Sequence, residues 1–267
     1  MFFLNVMTKQ RPALYYKFTR LAATLLIVAV GWIPLRLGYW VRQWVYPFIL
    51  KAMGKSVRIS TGVEFFNPDL ISLGNEVLLD RDVRLRPMGQ HTTVTLGNGV
   101  QIDRGTDLKV HYGANGYITI GDHTIIGPYC FLSGELIQIG AQCLIAPQVG
   151  IFANNHEFSD PLRYIRQQGH TYKGVVIDDD CWVGTGAKIL DGVHIGRGCV
   201  IGAGAVVSKS LPPYSIAVGV PAKIVGTREE DSPVNTAIDE TIKMAPVPAT
   251  PEFVANQLRD KTELSVP

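Results

Sequence analysis

Residues 151 to 160 read IFANNHEFSD, the start of a polar segment that continues to Val176. Within it lie Asn154, Asn155, His156, Glu157, Asp160, Arg163, Arg166 and His170. Such a set suits acyl transfer to a hydroxyl. A hydroxyl is a weak nucleophile and a thioester is already activated, so the protein's task is to take up a proton as attack proceeds. Imidazole, which ordinarily titrates near ~6.5, suits that task at neutral pH and contributes roughly 10²–10⁴ in rate. Neither a metal nor a covalent intermediate is required. His156 is the first candidate for the base and His170 its rival. Asp160 either orients His156 or binds an acceptor hydroxyl, and the spacing His-x-x-x-Asp-Pro leaves both open. His123 and His194 occupy polar positions in regular repeats and read as surface residues, and His91 and His111, in shorter breaks, read as structural.

The residues on either side of this segment supply a frame with a period of six. From Ile177 the chain reads IDDDCW, VGTGAK, ILDGVH, IGRGCV, IGAGAV, VSKSLP. An aliphatic residue leads each hexapeptide: Ile177, Val183, Ile189, Ile195, Ile201 and Val207. The same register runs through Leu73, Leu79 and Leu85, through Leu96, Ile102 and Leu108, through Ile120, Ile126 and Leu132, and through Ile139, Ile145 and Ile151. Six fits neither a helix nor a half-buried strand. It fits a coil with three short flat sides, whose leading residues stack inside a narrow prism. The expected fold class is all-β, a parallel β-helix of about six coils. The position after the leading residue is often glycine, and the glycines are expected to serve the tight corners. Between Ile151 and Ile177 the beat stops, and loops beyond ~12–15 residues are uncommon unless functional or disordered.

Cys130, Cys143, Cys181 and Cys199 all take the fifth hexapeptide position, which must be small and apolar to share the interior. They read as core residues. CxxC-like zinc spacing is absent, and a disulfide framework is not expected, which fits a reducing compartment.

The chain has 267 residues and a formal net charge of +2, so its overall charge says little about partners. Composition divides it into a basic apolar helical segment (1–56), the hexapeptide region (57–228) and a proline-containing tail (229–267) expected to be disordered. No Asp or Glu precedes Glu64, whereas Lys9, Arg11, Lys17, Arg20, Arg36, Arg42, Lys51, Lys55 and Arg58 are basic. The uncharged run Leu21–Leu35 would reach roughly 22 Å as a helix, short of the ~30 Å hydrocarbon core. Trp32, Trp40, Trp44 and several tyrosines lie in or around it. Three readings follow: helices packed on the domain behind, attachment to an anionic membrane surface, or a span. Pro34 would kink any helix that continued through it. No nucleic-acid motif is present.

The stretch from Val176 to Gly226, with NNHEFSDP upstream, resembles the hexapeptide-repeat acetyltransferases. It is similar to the galactoside and maltose acetyltransferases and to exopolysaccharide O-acetyltransferases. The resemblance implies a left-handed β-helix, a homotrimer with active sites between subunits, and acetyl-CoA as acyl donor without a metal. It implies His156 as general base, with Asn155, Asp160 and Trp182 around the acceptor. It places Gly184, Thr185 and Ala203 along the pantetheine arm, and Ser208, Lys209 and Lys223 near the phosphates and adenine. Small residues such as Gly202 and Gly204 would let the backbone approach that arm. Gly226 departs from the family pattern, which has a second basic residue there, and Arg228 is the candidate to replace it. The expected activity is O-acetylation of a sugar or lipid-linked glycan precursor, in the cytoplasm or peripherally on the inner membrane face. A serine acetyltransferase would require a helical N-terminal domain that is missing. A γ-type carbonic anhydrase would require three zinc histidines, and a non-catalytic scaffold or binding module at the membrane is the alternative outside enzymes.

Overall fold

The computed structural model describes residues 23–111 and 115–228. The chain divides into two units, 1–228 and 229–267. The expected disordered tail lies outside the described residues, as do residues 1–22 of the N-terminal segment.

Three sheets run along the first unit, and every turn of the chain gives one short strand to each. Face A runs from Ala52–Met53 through Ile71–Leu73, Thr93–Leu96, Tyr117–Ile120, Leu136–Ile139 and Val175–Ile177 to His194–Ile195. Face B begins at Arg58–Ile59 and face C at Glu64–Phe65. Pairing between successive coils is parallel and in register, as in Ile126 with Ile145 and Leu132 with Ile151. Faces A and C each hold 7 strands, so the parallel β-helix has one coil beyond the anticipated six. The added coil is the first, led by Met53, Ile59 and Phe65, a mixed set that an aliphatic register passes over.

The leading residues are buried as expected: Ile126, Leu132, Ile151, Ile177, Val183 and Ile195 have no exposed surface. Each such side chain contributes roughly 1.5–3 kcal/mol on leaving water. The fifth position is equally buried, and its polar members have a shared task. Cys130 Sγ donates to Ala146 O at 3.2 Å, Cys181 Sγ to Gly196 O at 3.2 Å and Cys199 Sγ to Pro212 O at 3.1 Å. Thr106 and Thr124 make the same bond through Oγ1, to Gly127 O at 2.8 Å and Gly140 O at 2.7 Å. A small side chain with a donor therefore satisfies a carbonyl one coil on. Burial pushes the Cys130 thiol up to about 11.

Glycines serve part of the corners, as expected: Gly99, Gly105, Gly186, Gly192, Gly198 and Gly204 have φ between 65° and 83°. The left-handed corner residue lies three places after the leader, and it is often not glycine: His123, Tyr129, Gln142, Gln148 and Asp180 have φ between 58° and 61°. The glycine directly after the leader instead permits the coils to stack. A Cβ on Gly121 would stand 2.6 Å from Ala141 N, and one on Gly184 2.6 Å from Ala203 N. Real Cβ contacts do not come that close, so these positions hold glycine because of their neighbours.

At the N-terminal end the chain is helical from 23 to 31 (α1) and again over Leu35–Val45 (α2). The residue before a proline avoids the helical region, so Pro34 separates two helices and does not merely kink one. α2 packs across the first coil. Arg42, buried, donates through Nε to Ile59 O at 2.8 Å, and through Nη1 to Val30 O at 3.0 Å and Ile33 O at 2.9 Å. Ile59 lies on the terminal strand of face B, so among the described residues no coil precedes it to satisfy that carbonyl. Gly38 makes this approach feasible, because a Cβ there would stand 1.9 Å from Ile33 O. No described helix is long and apolar enough to cross a membrane.

Candidate functional site

Every interruption of the six-residue register falls at one edge of the prism, where the chain leaves face C and enters face A. The strands Gly150–Ala153 and Val175–Ile177 bound the longest interruption. Despite it, the flanking coils pair directly, Ile137 with Val175 and Ile151 with Ile189. The inserted chain is an arm built on a short hairpin: Asn155–His156 runs antiparallel to His170–Thr171.

His156 and His170 are directly opposed, with ring centroids 4.2 Å apart. The candidate base and its rival are thus one constellation. It extends further: His170 stacks on Tyr172 at 6.1 Å, and Tyr172 meets His111 edge-on at 6.1 Å. His111 Nε2 lies 2.8 Å from Ser133 Oγ. Burial holds the His111 imidazole below its ordinary value, and Lys109, His170 and Arg86 add to this. His156 and His170 are exposed, His111 is half-buried and Ser133 buried.

Asp191, at the same edge one coil on, fastens the root of the arm. Its Oδ1 accepts from Lys173 N at 2.9 Å and Gly174 N at 2.9 Å, and its Oδ2 from Asn155 Nδ2 at 3.4 Å. Asn155 therefore already has a partner within the chain. Asp160 is engaged within the arm itself. Its Oδ1 accepts from Leu162 N at 2.9 Å, forming a local turn, and Gln168 braces its backbone N–H and C=O at 3.0 Å and 2.9 Å. The tip of the arm is apolar, with Phe158, Leu162, Tyr164 and Ile165 exposed and Leu162 94% accessible.

Trp182, exposed, belongs to face B between Leu144 and Val200. Face B is the side of the triangle opposite the edge that carries the arm. Thr185 and Ala203 are exposed at the corner between faces B and C, on successive coils. Gly204 N donates to Thr185 O at 2.8 Å, which stacks the two corners. The turn 219–222 continues this ridge: Val206 N donates to Gly219 O at 3.0 Å and Ala222 N to Val206 O at 2.8 Å. Lys223 follows, exposed, at the start of the strand Lys223–Thr227. Ser208 and Lys209 lie exposed past the strand Val206–Val207, at the next corner. The glycines divide: Gly184 and Gly202 face neighbouring coil atoms, whereas a Cβ on Gly204 would meet nothing within 4 Å. Only Gly204, of these three, leaves open space beside the ridge.

Arg228, the candidate for the missing second basic residue, is engaged within the chain. Its Nη1 donates to Asp180 Oδ2 at 3.1 Å and Gly198 O at 3.0 Å, at the corner between faces A and B. His194, expected as a simple surface residue, pairs with Asp178 at 3.0 Å. Sequence reasoning passed over Ser133, Tyr172 and Asp191, and it set His111 aside as structural. The available signal was that all the breaks in the register share one edge.

The family model described as bacterial transferase hexapeptide (six repeats) matches residues 174–209. An inferred acetyltransferase of Mycobacterium tuberculosis is 34% identical over 164 residues, 61% of this chain and 53% of its own length. The chain thus spans about half of that relative. An inferred acetyltransferase of Staphylococcus aureus is 38% identical over 156 residues, 58% of this chain and 73% of its own. Among solved structures, an N-acyltransferase of Bacillus cereus bound to dTDP and 3-hydroxybutyryl-CoA aligns with TM-score 0.49 and 23% identity, over 76% of this chain and 95% of its own.

Proposed function

The chain belongs to the hexapeptide-repeat acetyltransferases, and from that premise we propose that it moves an acetyl group from acetyl-CoA to a hydroxyl of a sugar or glycan precursor. The observation that carries this reading is the placement of His156. It is exposed on a hairpin that leaves the coil, opposed to His170 and fastened at its root by Asp191.

In the proposed reaction His156 takes the acceptor's hydroxyl proton as the oxygen bonds to the thioester carbonyl. The carbon–sulfur bond then breaks, and the proton passes to the departing thiolate. The chain supplies a track for the donor: Thr185, Ala203, Gly204 and the turn 219–222 follow one another along a single corner. With strands ~4.8 Å apart, three such levels give a ridge of roughly 10–15 Å on which an extended arm can lie. Lys223 and Lys209 are exposed cations, and among the described residues neither has an ion-pair partner, which suits phosphate binding. Ser208 stands beside Lys209.

Placement also supports a homotrimer with shared sites. Trp182 faces away from the edge that carries its own chain's arm, so a neighbour's His156 completes the site more directly. The apolar tip of Phe158, Leu162, Tyr164 and Ile165 gives the arm something to pack with on that neighbour. The N-terminal region suits a cytoplasmic enzyme attached peripherally to the inner membrane face, which is the side where lipid-linked glycan precursors for polysaccharide biosynthesis would be met.

The test is thiol release from acetyl-CoA by wild type and His156→Ala with a panel of mono- and oligosaccharides. A loss of at least ~10²-fold in rate, with CoA binding retained, is the expected result. Equal turnover by both proteins would move the role to His170. Failure of wild type to bind CoA would leave a scaffold.

A further inference from the structure

The helices at the N-terminal end carry a second surface, which the acyl-transfer chemistry does not use. α2 buries Gly38 and Arg42 against the first coil, with Tyr46 just beyond its last turn. At 3.6 residues per turn, Leu37, Trp40 and Trp44 lie on the opposite side, and all three are exposed, Trp40 at 61% and Trp44 at 66%. Trp40 and Trp44 sit with ring centroids 6.1 Å apart. Leu25, Val28, Trp32, Leu35 and Phe48, in the same helical region, are exposed as well, and Phe48 is 86% accessible. A soluble monomer rarely leaves so many large apolar side chains together in water.

Charge selects the occupant. The first acid in the chain is Glu64, and the same stretch of chain exposes Arg36, Lys51, Lys55 and Arg58, with Glu76 beside Lys55. Exposed tryptophans and apolar residues in a stretch whose charges are all basic have the composition of a membrane interface. The anchoring is rigid, because Arg42 ties both helices to the first coil through Ile59, Val30 and Ile33 carbonyls. We propose that the outward face of α1 and α2 docks on an anionic lipid surface and sets the β-helix with its first coil nearest the bilayer.

This sharpens the peripheral attachment suggested above by naming the surface, and it stands whether or not the chain transfers acetyl groups. One consequence does rest on the acyl-transfer reading. The arm leaves face C four strands beyond Glu64–Phe65, and at ~4.8 Å per strand the coils rise roughly 20 Å to it. A membrane-anchored acceptor would then meet His156 through its outer sugars, and its lipid end would stay in the bilayer.

The experiment is sedimentation of the full chain with vesicles of phosphatidylcholine containing 30% phosphatidylglycerol, and with vesicles of phosphatidylcholine alone. Wild type is expected in the pellet with the anionic vesicles. Roughly fivefold weakening per basic contact follows when the anionic lipid is omitted. Trp40→Glu/Trp44→Glu, on exposed positions, is expected to lower partitioning at least tenfold while leaving circular dichroism unchanged. Wild type remaining in the supernatant, or equal binding by the double variant, overturns the proposal. So does light scattering in which wild type forms an assembly that the double variant halves, since the occupant would then be a second copy. Thioester turnover measured on the same preparations reports separately on the acyl-transfer reading.

Discussion

Truncating Asp191 to alanine should free the His156 arm at its root and leave the coils intact. The carboxylate accepts two backbone N–H groups, from Lys173 and Gly174, both at 2.9 Å. Hydrogen bonds to a charged group are generally worth ~1.5–3 kcal/mol each. Asp191 is half-buried and Lys173 exposed, so water recovers part of that on removal. The contact from Asn155 Nδ2 at 3.4 Å adds little. A total of ~2–3 kcal/mol raises the opening equilibrium of the arm by about 30–150-fold. Hydrogen exchange reads this at the Glu157 amide, which bonds across the arm to Gly169 O at 3.1 Å. Its protection should fall by that factor, or to the unprotected limit, while buried coil amides change little. Asp191→Asn keeps one carbonyl oxygen as acceptor and should fall between. A change below threefold at Glu157 would refute the reasoning, as would an equal loss throughout the coils, which would make Asp191 part of the fold.

Gly184→Ala and Gly186→Ala should differ sharply in urea denaturation. The first Cβ would meet Ala203 N at 2.6 Å, backbone that cannot yield without moving a coil, for a loss of about 3 kcal/mol or more. The second, at φ +73° with nothing within 4 Å, pays only for the left-handed corner, about 1 kcal/mol, and equal losses would sink the stacking argument. His111 gives a pH dependence. Its folded value is held down by burial and then by Lys109, His170 and Arg86, so the unfolded chain binds the proton more readily. The stability it contributes is complete above the ordinary value of ~6.5 and is lost as pH falls through it toward the lower folded value. Between pH 7.5 and 5.5 the urea midpoint of wild type should therefore drop more than that of His111→Asn. Identical slopes would show that folding does not lower the proton affinity of His111.

The coil was legible because a strict period of six has few structural solutions, and its burial follows directly from the leading residues. The interruption that carries His156 was legible for the same reason, as the longest departure from the beat. The constellation around His156 was not. His111, Ser133, Tyr172 and Asp191 come from four different stretches and meet only because successive coils place their face C to face A corners above one another. No local pattern marks them. The glycines were visible, but their purpose was hidden. A glycine two places before a left-handed corner looks like part of the turn, and only the neighbouring coil shows that Gly121 and Gly184 are there to be approached. Arg228 was equally opaque, since Asp180 and Gly198 reach it from coils that the linear sequence keeps apart.

The buried Arg42 has a bearing on how the protein keeps to itself. A column of parallel strands ~4.8 Å apart has the geometry of a cross-β fibre, and such a column could in principle lengthen by adding another chain at either end. At the first coil, the guanidinium and the two helices it holds occupy the carbonyl that an incoming strand would need. At the last, Lys223–Thr227 runs antiparallel to Ser215–Val218, so face B finishes in a strand of the wrong direction to continue the parallel stack. The protein is thereby a fibre of fixed length, and a chain stripped of α1 and α2 should associate through its opened first coil and stop there, because the last coil stays closed.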